Sequence, residues 1–174
     1  ICGVLRFLQE KGIPYLLMGN GSNLLVKDGG FRGVVVRFGK EFGTITKTDD
    51  GLYAQSGALM SLLSKAALDY GYTGLEFAQG IPGTVGGGIY MNAGAYGGEM
   101  SQVVKYVRLF DGNEIRNVPA EEMKFGYRHS LAMDQQAVVL GAAFALEKGD
   151  KAEIEAKMKD FAQRRRDKQP LEYP

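Results

Sequence analysis

Two glycine-rich segments have the composition of an anion-binding site made from the backbone. The first is Gly19-Asn20-Gly21-Ser22-Asn23, and the second runs from residue 80 to residue 98 and contains eight glycines but no Lys or Arg. Because glycine has no Cβ, a ligand can touch the chain, and successive N–H groups can form a concave nest for an anion. An anion bound by the second segment would therefore be held mainly by main-chain amides.

The first segment departs from two common phosphate-binding motifs. It begins like G-x-G-x-x-G, but Leu24 stands at the third glycine position, and the following residues Leu24–Val26 read as a strand instead of a helix. There is no G-K-[ST] either, so neither a Rossmann site nor a P-loop is expected. Two interpretations stay open from these residues: a tight hairpin turn, or a pyrophosphate cradle in which Ser22 and Asn23 add side-chain donors.

The second segment combines glycine with residues suited to hold a ligand close. Pro82 stiffens one turn, Thr84 offers a hydroxyl, and the small residues of Asn92-Ala93-Gly94-Ala95 would let a flat ring or a phosphate lie against the chain. The structural alternative is that these glycines allow backbone to pack closely on backbone. Both explanations remain open at this level.

Composition excludes several classes of function. A net charge of +1 does not predict a large electrostatic surface for nucleic acid. The single Cys2 cannot form an internal disulfide, which fits a reducing, cytoplasmic compartment. No apolar run reaches the ~20 residues needed to cross a bilayer, so no membrane contact is expected. Glycine makes up 25 of 174 residues, which is roughly twice its usual share.

Hydrophobic spacing predicts an α+β chain. The predicted helices begin near Val4 and end at Gly12, span Leu59–Tyr70 before Gly71, span Pro119–Lys124, and run from Lys151 to Asp167 with Asp150 as N-cap. The predicted strands are Tyr15–Met18, Leu24–Val26, Val34–Arg37, Gly51–Gly57 and Ala137–Leu146, with a hairpin of Val103–Phe110 and Glu114–Val118 around Asp111-Gly112.

Four motifs in this order resemble the UDP-N-acetylenolpyruvoylglucosamine reductase (MurB) family. They are G-N-G-S-N-L-L-V from Gly19, G-I-P-G-T-V-G-G from Gly80, N-A-G-A-Y-G from Asn92, and Tyr127-Arg128-His129-Ser130. The similarity covers essentially the whole chain and implies the FAD-binding α+β fold of the vanillyl-alcohol-oxidase (PCMH) flavoproteins. Residues 1–149 would form the FAD-binding region as two α+β lobes, and residues 150–174 a helix and linker toward a substrate domain.

The resemblance also implies the cofactor and its ligands. FAD would bind with its pyrophosphate on the first glycine segment, and no metal is implied. The residues assigned to the cofactor in this way are Gly19, Asn20, Gly21, Ser22, Asn23, Ile81, Pro82, Gly83, Thr84, Gly87, Ala93, Gly94 and Tyr96.

The reaction implied by the resemblance has two halves. NADPH reduces the flavin, which then reduces the enolpyruvyl double bond of UDP-N-acetylglucosamine enolpyruvate to give UDP-N-acetylmuramate, a peptidoglycan precursor. Arg128, by itself readable as a surface residue, would be the catalytic cation, because guanidinium stays charged and presents a planar fork to a carboxylate or enolate. Tyr127 and Lys168 would contact the substrate, and Ser130 would cap a turn or orient Arg128, with His129 at a free position. A cytoplasmic monomer is expected.

Parts of the family pattern are absent from the printed sequence. These are the early N-T-[ST]-x-[RK]-x-G-G segment, the G-S-x-F-K motif with the proton-donating serine, and a late glutamate. We therefore expect a fragment that binds cofactor without completing the reaction. The alternatives are a non-catalytic flavin- or nucleotide-binding module, and a flavin oxidase of the same superfamily. The pattern Tyr127-Arg128-x-Ser130 argues against the oxidase.

Overall fold

A five-stranded antiparallel sheet organises the chain in the computed structural model, which describes residues 1–169. The helices are α1 (Cys2–Glu10), α2 (Met60–Asp69), α3 (Val85–Tyr90), α4 (Leu131–Asp134) and α5 (Lys151–Lys168). The strands are β1 (Tyr15–Met18), β2 (Val34–Arg37), β3 (Ile45–Thr48), β4 (Gly51–Gln55), β5 (Tyr72–Thr73), β6 (Gly94–Ala95), β7 (Gly98–Glu99), β8 (Val104–Phe110), β9 (Ile115–Pro119), β10 (Val138–Ala145) and β11 (Glu147–Lys148). Four 3-10 turns complete the elements, at Lys40–Phe42, Glu76–Gly80, Met100–Gln102 and Ala120–Glu122.

The main sheet has the order β3-β4-β10-β8-β9. Its central strand β10 is buried along seven of its eight residues, because β4 and β8 flank it and apolar side chains cover it. The larger core joins this sheet to α2, α3 and the turn Glu76–Gly80. The predicted hairpin of β8 and β9 and the predicted strand β10 are confirmed.

A smaller unit is made of α1 and the parallel pair β1–β2. Leu5 of α1 packs with Phe38, Phe110, Val138 and Leu140 in a second apolar cluster. Because parallel strands need a crossover connection, residues 19–33 leave the C-terminal end of β1 and run back to the end at which β1 begins before β2 starts.

This crossover corrects two expectations about the first glycine segment. The segment is not a hairpin turn, since β1 and β2 run in the same direction. Leu24–Val26 is also not a strand: these residues pair with no neighbour within the described part of the chain, and Leu25 is 97% exposed. An apolar triplet is a weak strand signal when no partner strand is available to bond its backbone.

The predicted long helices are confirmed with small shifts. In α2 the buried residues are Met60, Leu63, Ser64 and Ala67, and the chain leaves the helix through Gly71 at φ +68. In α5 the Asp150 carboxylate accepts hydrogen bonds from the N–H groups of Ala152 and Glu153, as the cap prediction requires. Among the helices of residues 1–169, none has the length and apolar character of a bilayer-spanning segment. The last five residues of the predicted region 150–174 lie outside the described residues.

Helix α3 was not predicted, because three of its six residues are glycines, which disfavour helix. Tertiary packing forms it: Val85 and Ile89 are fully buried in the larger core. Gly86 packs so closely that a Cβ placed there would lie 1.8 Å from Ser56 Oγ, and one on Gly88 would lie 2.9 Å from Met60 Sδ. The close-packing explanation is therefore correct for these two glycines.

Candidate functional site

The two glycine segments meet in one cleft of about 1120 Å³. Asn20 Nδ2 donates a hydrogen bond to the Pro82 carbonyl at 2.9 Å, which ties one segment to the other. Gly19 touches Thr84 so closely that a Cβ on Gly19 would lie 2.1 Å from Thr84 Oγ1. The cleft exceeds the ~300–1,000 Å³ of pockets for drug-sized ligands and has room for a dinucleotide.

The cleft presents backbone N–H groups that make no backbone hydrogen bond among residues 1–169. In the first segment they belong to residues 20–23, and in the second to Gly83, Thr84 and Gly87. Unpaired amides of this kind need an acceptor, which water or a ligand must supply. A row of such donors across one cleft is a nest that suits the oxygens of a diphosphate.

The glycines of the second segment divide into two groups by what surrounds them. Gly86 and Gly88 are required by packing, as described above. A Cβ on Gly83 would meet only Ser22 Oγ, at 3.7 Å, and one on Gly87 would meet only Thr84 Oγ1, at 3.8 Å. Protein packing does not require glycine at these two positions, but both line the cleft, where a side chain would take ligand space.

The structure brings most of the predicted cofactor residues to this cleft. Those that line it are Gly19, Asn20, Gly21, Ser22, Asn23, Ile81, Pro82, Gly83, Thr84, Gly87, Ala93 and Gly94. Tyr96 is the exception. It lines a smaller neighbouring cavity and stacks on Phe161 of α5, with the ring centroids 4.7 Å apart.

Arg165 of α5 adds to the cleft a cation that the resemblance did not assign to the site. Its side chain lies against Gly80, where a Cβ would meet Nη1 at 3.2 Å, and it lines the cleft. The neighbours Arg164 and Arg166 are exposed. Helical periodicity could have identified it, because Arg165 follows the buried Met158 by seven residues and so shares its face of α5.

Lys168, the predicted contact for the substrate diphosphate, is exposed and lines neither cavity, whereas Gln169 lines the cleft. The resemblance at this position rests on Lys168-Gln169-Pro170, and Pro170 lies outside the described residues. The role of Lys168 stays a prediction without support from its position.

Arg128 occupies a tight turn at the boundary between the cleft and the smaller cavity, and it lines both. Gly126 and His129 bond each other through both N–H groups, at 3.1 and 3.2 Å, which closes a two-residue turn over Tyr127 and Arg128. Arg128 has φ +54, a left-handed conformation that costs a non-glycine residue about 1–2 kcal/mol. Strained residues of this kind cluster at functional sites.

The surroundings of Arg128 leave its charge available. No carboxylate within residues 1–169 forms an ion pair with it. Tyr127 is 91% exposed, and its ring centroid lies 5.5 Å from the Arg128 Cζ. Ser130 does not cap α4 with its side chain; its Oγ donates to the Tyr90 carbonyl at 2.8 Å.

The buried Glu76 links α5 to the start of the second glycine segment. Burial by itself would raise the pKa of this carboxyl, but hydrogen bonds from Thr73 Oγ1 and the Gly74 N–H outweigh it and lower the pKa, with help from Lys157. Lys157 Nζ of α5 lies 3.7 Å from Glu76 Oε1. This contact joins α5, the helix that carries Arg165, to the turn Glu76–Gly80.

Comparison with known proteins defines the class of this protein. The FAD binding domain family matches residues 1–115, which is more than half of the chain. The chain therefore belongs to this family of FAD-binding domains, and the expected cofactor, FAD, is confirmed at that level.

Over its whole length the chain is also similar to reductases of one kind. The chain is 49% identical over 175 residues to the UDP-N-acetylenolpyruvoylglucosamine reductase of Clostridium perfringens (strain SM101), covering 100% of this chain and 57% of that protein. The crystal structure of the corresponding reductase from Thermus caldophilus matches with a TM-score of 0.80 and 33% identity, over 97% of this chain and 61% of that one. The predicted resemblance is confirmed, and the chain spans somewhat more than half the length of these relatives.

A more distant structure supports the fold alone. An alkyldihydroxyacetonephosphate synthase structure matches with a TM-score of 0.61 at 12% identity, over 85% of this chain and 30% of that one. The expected α+β fold of the vanillyl-alcohol-oxidase type is confirmed.

Proposed function

We propose that this cleft holds FAD for the NADPH-driven reduction of UDP-N-acetylglucosamine enolpyruvate to UDP-N-acetylmuramate. One observation carries the proposal: free amides of both glycine segments line a single cleft, and Arg128 stands at its boundary with a second cavity. The similarity of the whole chain to reductases named for this chemistry supports it.

The proposed cofactor contacts follow from the donor groups. The amides of residues 20–23 and of Gly83 and Thr84 would bind the diphosphate, and Arg165 would supply the positive charge that residues 80–98 lack. Gly87 would let the cofactor lie against α3. When bound, the flavin supplies the capacity to take up a hydride and pass it on.

Arg128 would act on the substrate. Reduction of an enolpyruvyl group adds a hydride to one carbon and leaves negative charge next to the carboxylate. A guanidinium already held in place stabilises this charge without reorganising, and it stays charged at any working pH. The exposed Tyr127 would contact the same ligand from the smaller cavity.

The proposal has further parts that rest on the implied reaction. NADPH is the electron source, and the location is the cytoplasm, where NADPH and nucleotide sugars are available; the single Cys2 is compatible with that compartment. We propose a monomer. The final proton transfer is assigned to no residue here, because the family's serine motif has no counterpart in this sequence.

A two-stage experiment tests the function. The whole translated gene product, purified with FAD, is reduced with one equivalent of NADPH without oxygen, and the flavin absorbance is followed after UDP-N-acetylglucosamine enolpyruvate is added. We expect NADPH to reduce the flavin rapidly and this substrate then to re-oxidise it. A bound flavin that the substrate cannot re-oxidise would support the non-catalytic module, and re-oxidation only by oxygen would support the oxidase.

The 174-residue chain by itself is expected to bind FAD but not to turn over. Incubation with FAD, NADPH and the enolpyruvyl substrate should give no sustained, substrate-dependent oxidation of NADPH. Steady turnover by this chain would contradict that part of the proposal. Lack of FAD binding would contradict the proposed diphosphate site in the two glycine segments.

A further inference from the structure

Asn92 is a buried polar residue between the cofactor cleft and the turn that carries Arg128. Its exposure is 3%, and it has φ +41, a left-handed conformation that asparagine adopts more readily than most residues. It follows Met91, the C-cap of α3, so its left-handed backbone terminates the helix that presents Gly87 to the cleft.

Both polar atoms of the Asn92 side chain connect segments that are far apart in the sequence. Nδ2 donates to the Gly126 carbonyl at 3.0 Å, and Oδ1 accepts from the Ser101 N–H at 3.0 Å. Gly126 is the first residue of the turn with Arg128, and Ser101 belongs to the 3-10 turn that follows β7. The amide therefore joins α3, the Arg128 turn and the edge of the smaller cavity.

The turn over Arg128 depends on few such connections. It lies outside the strands and helices, and its second connection to this region is the bond from Ser130 Oγ to the Tyr90 carbonyl, in the last residue of α3. Both connections end near the C-terminus of α3. Two buried side chains thus connect the Arg128 turn to α3, in addition to the contact of His129 Nε2 with Asp134 Oδ2 at 3.3 Å and the bond from the Leu131 N–H to the Met123 carbonyl at 2.6 Å.

We infer that Asn92 is a positioning residue that fixes the Arg128 guanidinium relative to the bound cofactor. The inference rests on the proposed function. Asparagine fits the position because it tolerates the left-handed backbone and supplies a donor and an acceptor from one short side chain. A displacement of about 1 Å at a reacting centre can cost about 100-fold in rate, so loss of the bond to Gly126 should reach the chemistry.

Asn92→Asp is the sharpest variant, because it is nearly isosteric and keeps an acceptor for Ser101, but it replaces the donor to Gly126 by a carboxylate oxygen that the Gly126 carbonyl repels. In the holoenzyme we expect re-oxidation of reduced flavin by the enolpyruvyl substrate to slow by about 10-fold or more. The rate of flavin reduction by NADPH and the Kd for FAD should change by less than about 2-fold, because the amides of the two glycine segments are untouched. Val118→Ala, in the edge strand β9, is the control for a general loss of core stability.

A double variant separates positioning from a purely structural role. If Asn92 acts through Arg128, Asn92→Asp should change the substrate half-reaction by less than about 2-fold in an Arg128→Ala background, because the group that it positions is gone. The same slowing in both backgrounds, or an equal slowing in Val118→Ala, would overturn the inference.

Measurements on these variants also distinguish a failure of this inference from a failure of the proposed function. If Arg128→Ala leaves re-oxidation by the substrate unchanged, the proposed role of Arg128 fails. If Arg128→Ala slows it but Asn92→Asp does not, only the inference fails. If Asn92→Asp does not yield holoenzyme, Asn92→Gly is used instead, because glycine keeps the left-handed backbone. If neither variant binds FAD, Asn92 is needed for folding and the inference is overturned.

Discussion

The first glycine segment and helix α3 line the same cleft but use glycine for different reasons. In the first segment, residues 20–23 form an exposed loop whose amides are free of backbone partners. In α3, all three glycines line the cleft, but Gly86 and Gly88 are buried against Ser56 and Met60, and only Gly87 is exposed. Glycine therefore serves ligand access in one region and mainly close packing in the other.

The largest expected effect is on cofactor binding through Gly83. A Cβ there meets only Ser22 Oγ across the cleft, so Gly83→Val should fold but put two further methyl groups where the ligand would lie. We expect FAD affinity to fall by about 100-fold, as overpacking of about 1–3 kcal/mol implies. Flavin fluorescence titration measures it.

Gly29→Val is the matched control for this substitution, because a Cβ on Gly29 meets nothing within 4 Å. It should leave FAD affinity unchanged. If Gly83→Val also keeps the affinity of the unmodified chain, the second segment does not face the cofactor.

The next effect tests the division within α3. Gly86→Ala places a Cβ 1.8 Å from Ser56 Oγ and should lower the free energy of unfolding by about 1–3 kcal/mol. Gly87→Ala, one residue away, should raise it by about 0.5–1 kcal/mol in the absence of FAD, because alanine favours helix. Urea unfolding of the two variants without cofactor provides the comparison, and equal destabilisation of both would refute the division.

A smaller effect is expected from the cation of α5. Arg165→Ala should weaken FAD binding by about 10-fold, or about 1.4 kcal/mol, with a shallower salt dependence because one cation–diphosphate contact is lost. Arg166→Ala, an exposed neighbour on the same helix, is the control and should have no effect. Equal losses of FAD affinity in both variants would mean that Arg165 contributes only to the general electrostatic field at the C-terminal end of α5.

The smallest effect concerns Glu76. Its pKa is lowered below the ordinary 4.5 by the bonds from Thr73 and Gly74. A carboxyl whose pKa is lower in the folded state contributes stability above pH 4.5, and this contribution is lost as the pH falls through the folded value. Glu76→Gln should therefore cost about 1 kcal/mol at pH 7 and less at pH 3. Melting temperatures at the two pH values test this; a cost that does not shrink on acidification would contradict it.

Much of the fold could be predicted because its signals are local. The capped helix α5, the hairpin of β8 and β9 and the apolar strand β10 have patterns that depend on neighbours within a few residues. Helix α3 could not be predicted in this way, because its glycines oppose helix and only the surrounding core stabilises it.

The motifs assigned residues of both glycine segments to the cofactor, and all of the assigned residues except Tyr96 line the cleft. Of the two cations that line the cleft, they indicated Arg128 but not Arg165. The resemblance implied Lys168 as a substrate contact, whereas the rotation of α5 turns Arg165 toward the cleft and leaves Lys168 exposed. The sequence shows Asn92 only as the first member of a run of small residues, because the hydrogen-bond partners of a buried amide cannot be inferred from the residues next to it in the sequence.

The amino-acid sequence by itself determined the family and the segments where the backbone is uncovered, because missing side chains and motif spacing are properties of the chain. Tertiary structure alone decided that β1 and β2 run parallel, that both segments face one cleft, and that Asn92 holds the turn of Arg128. These facts depend on contacts between residues distant in the sequence. Such contacts form only when the whole core packs, so no local pattern encodes them.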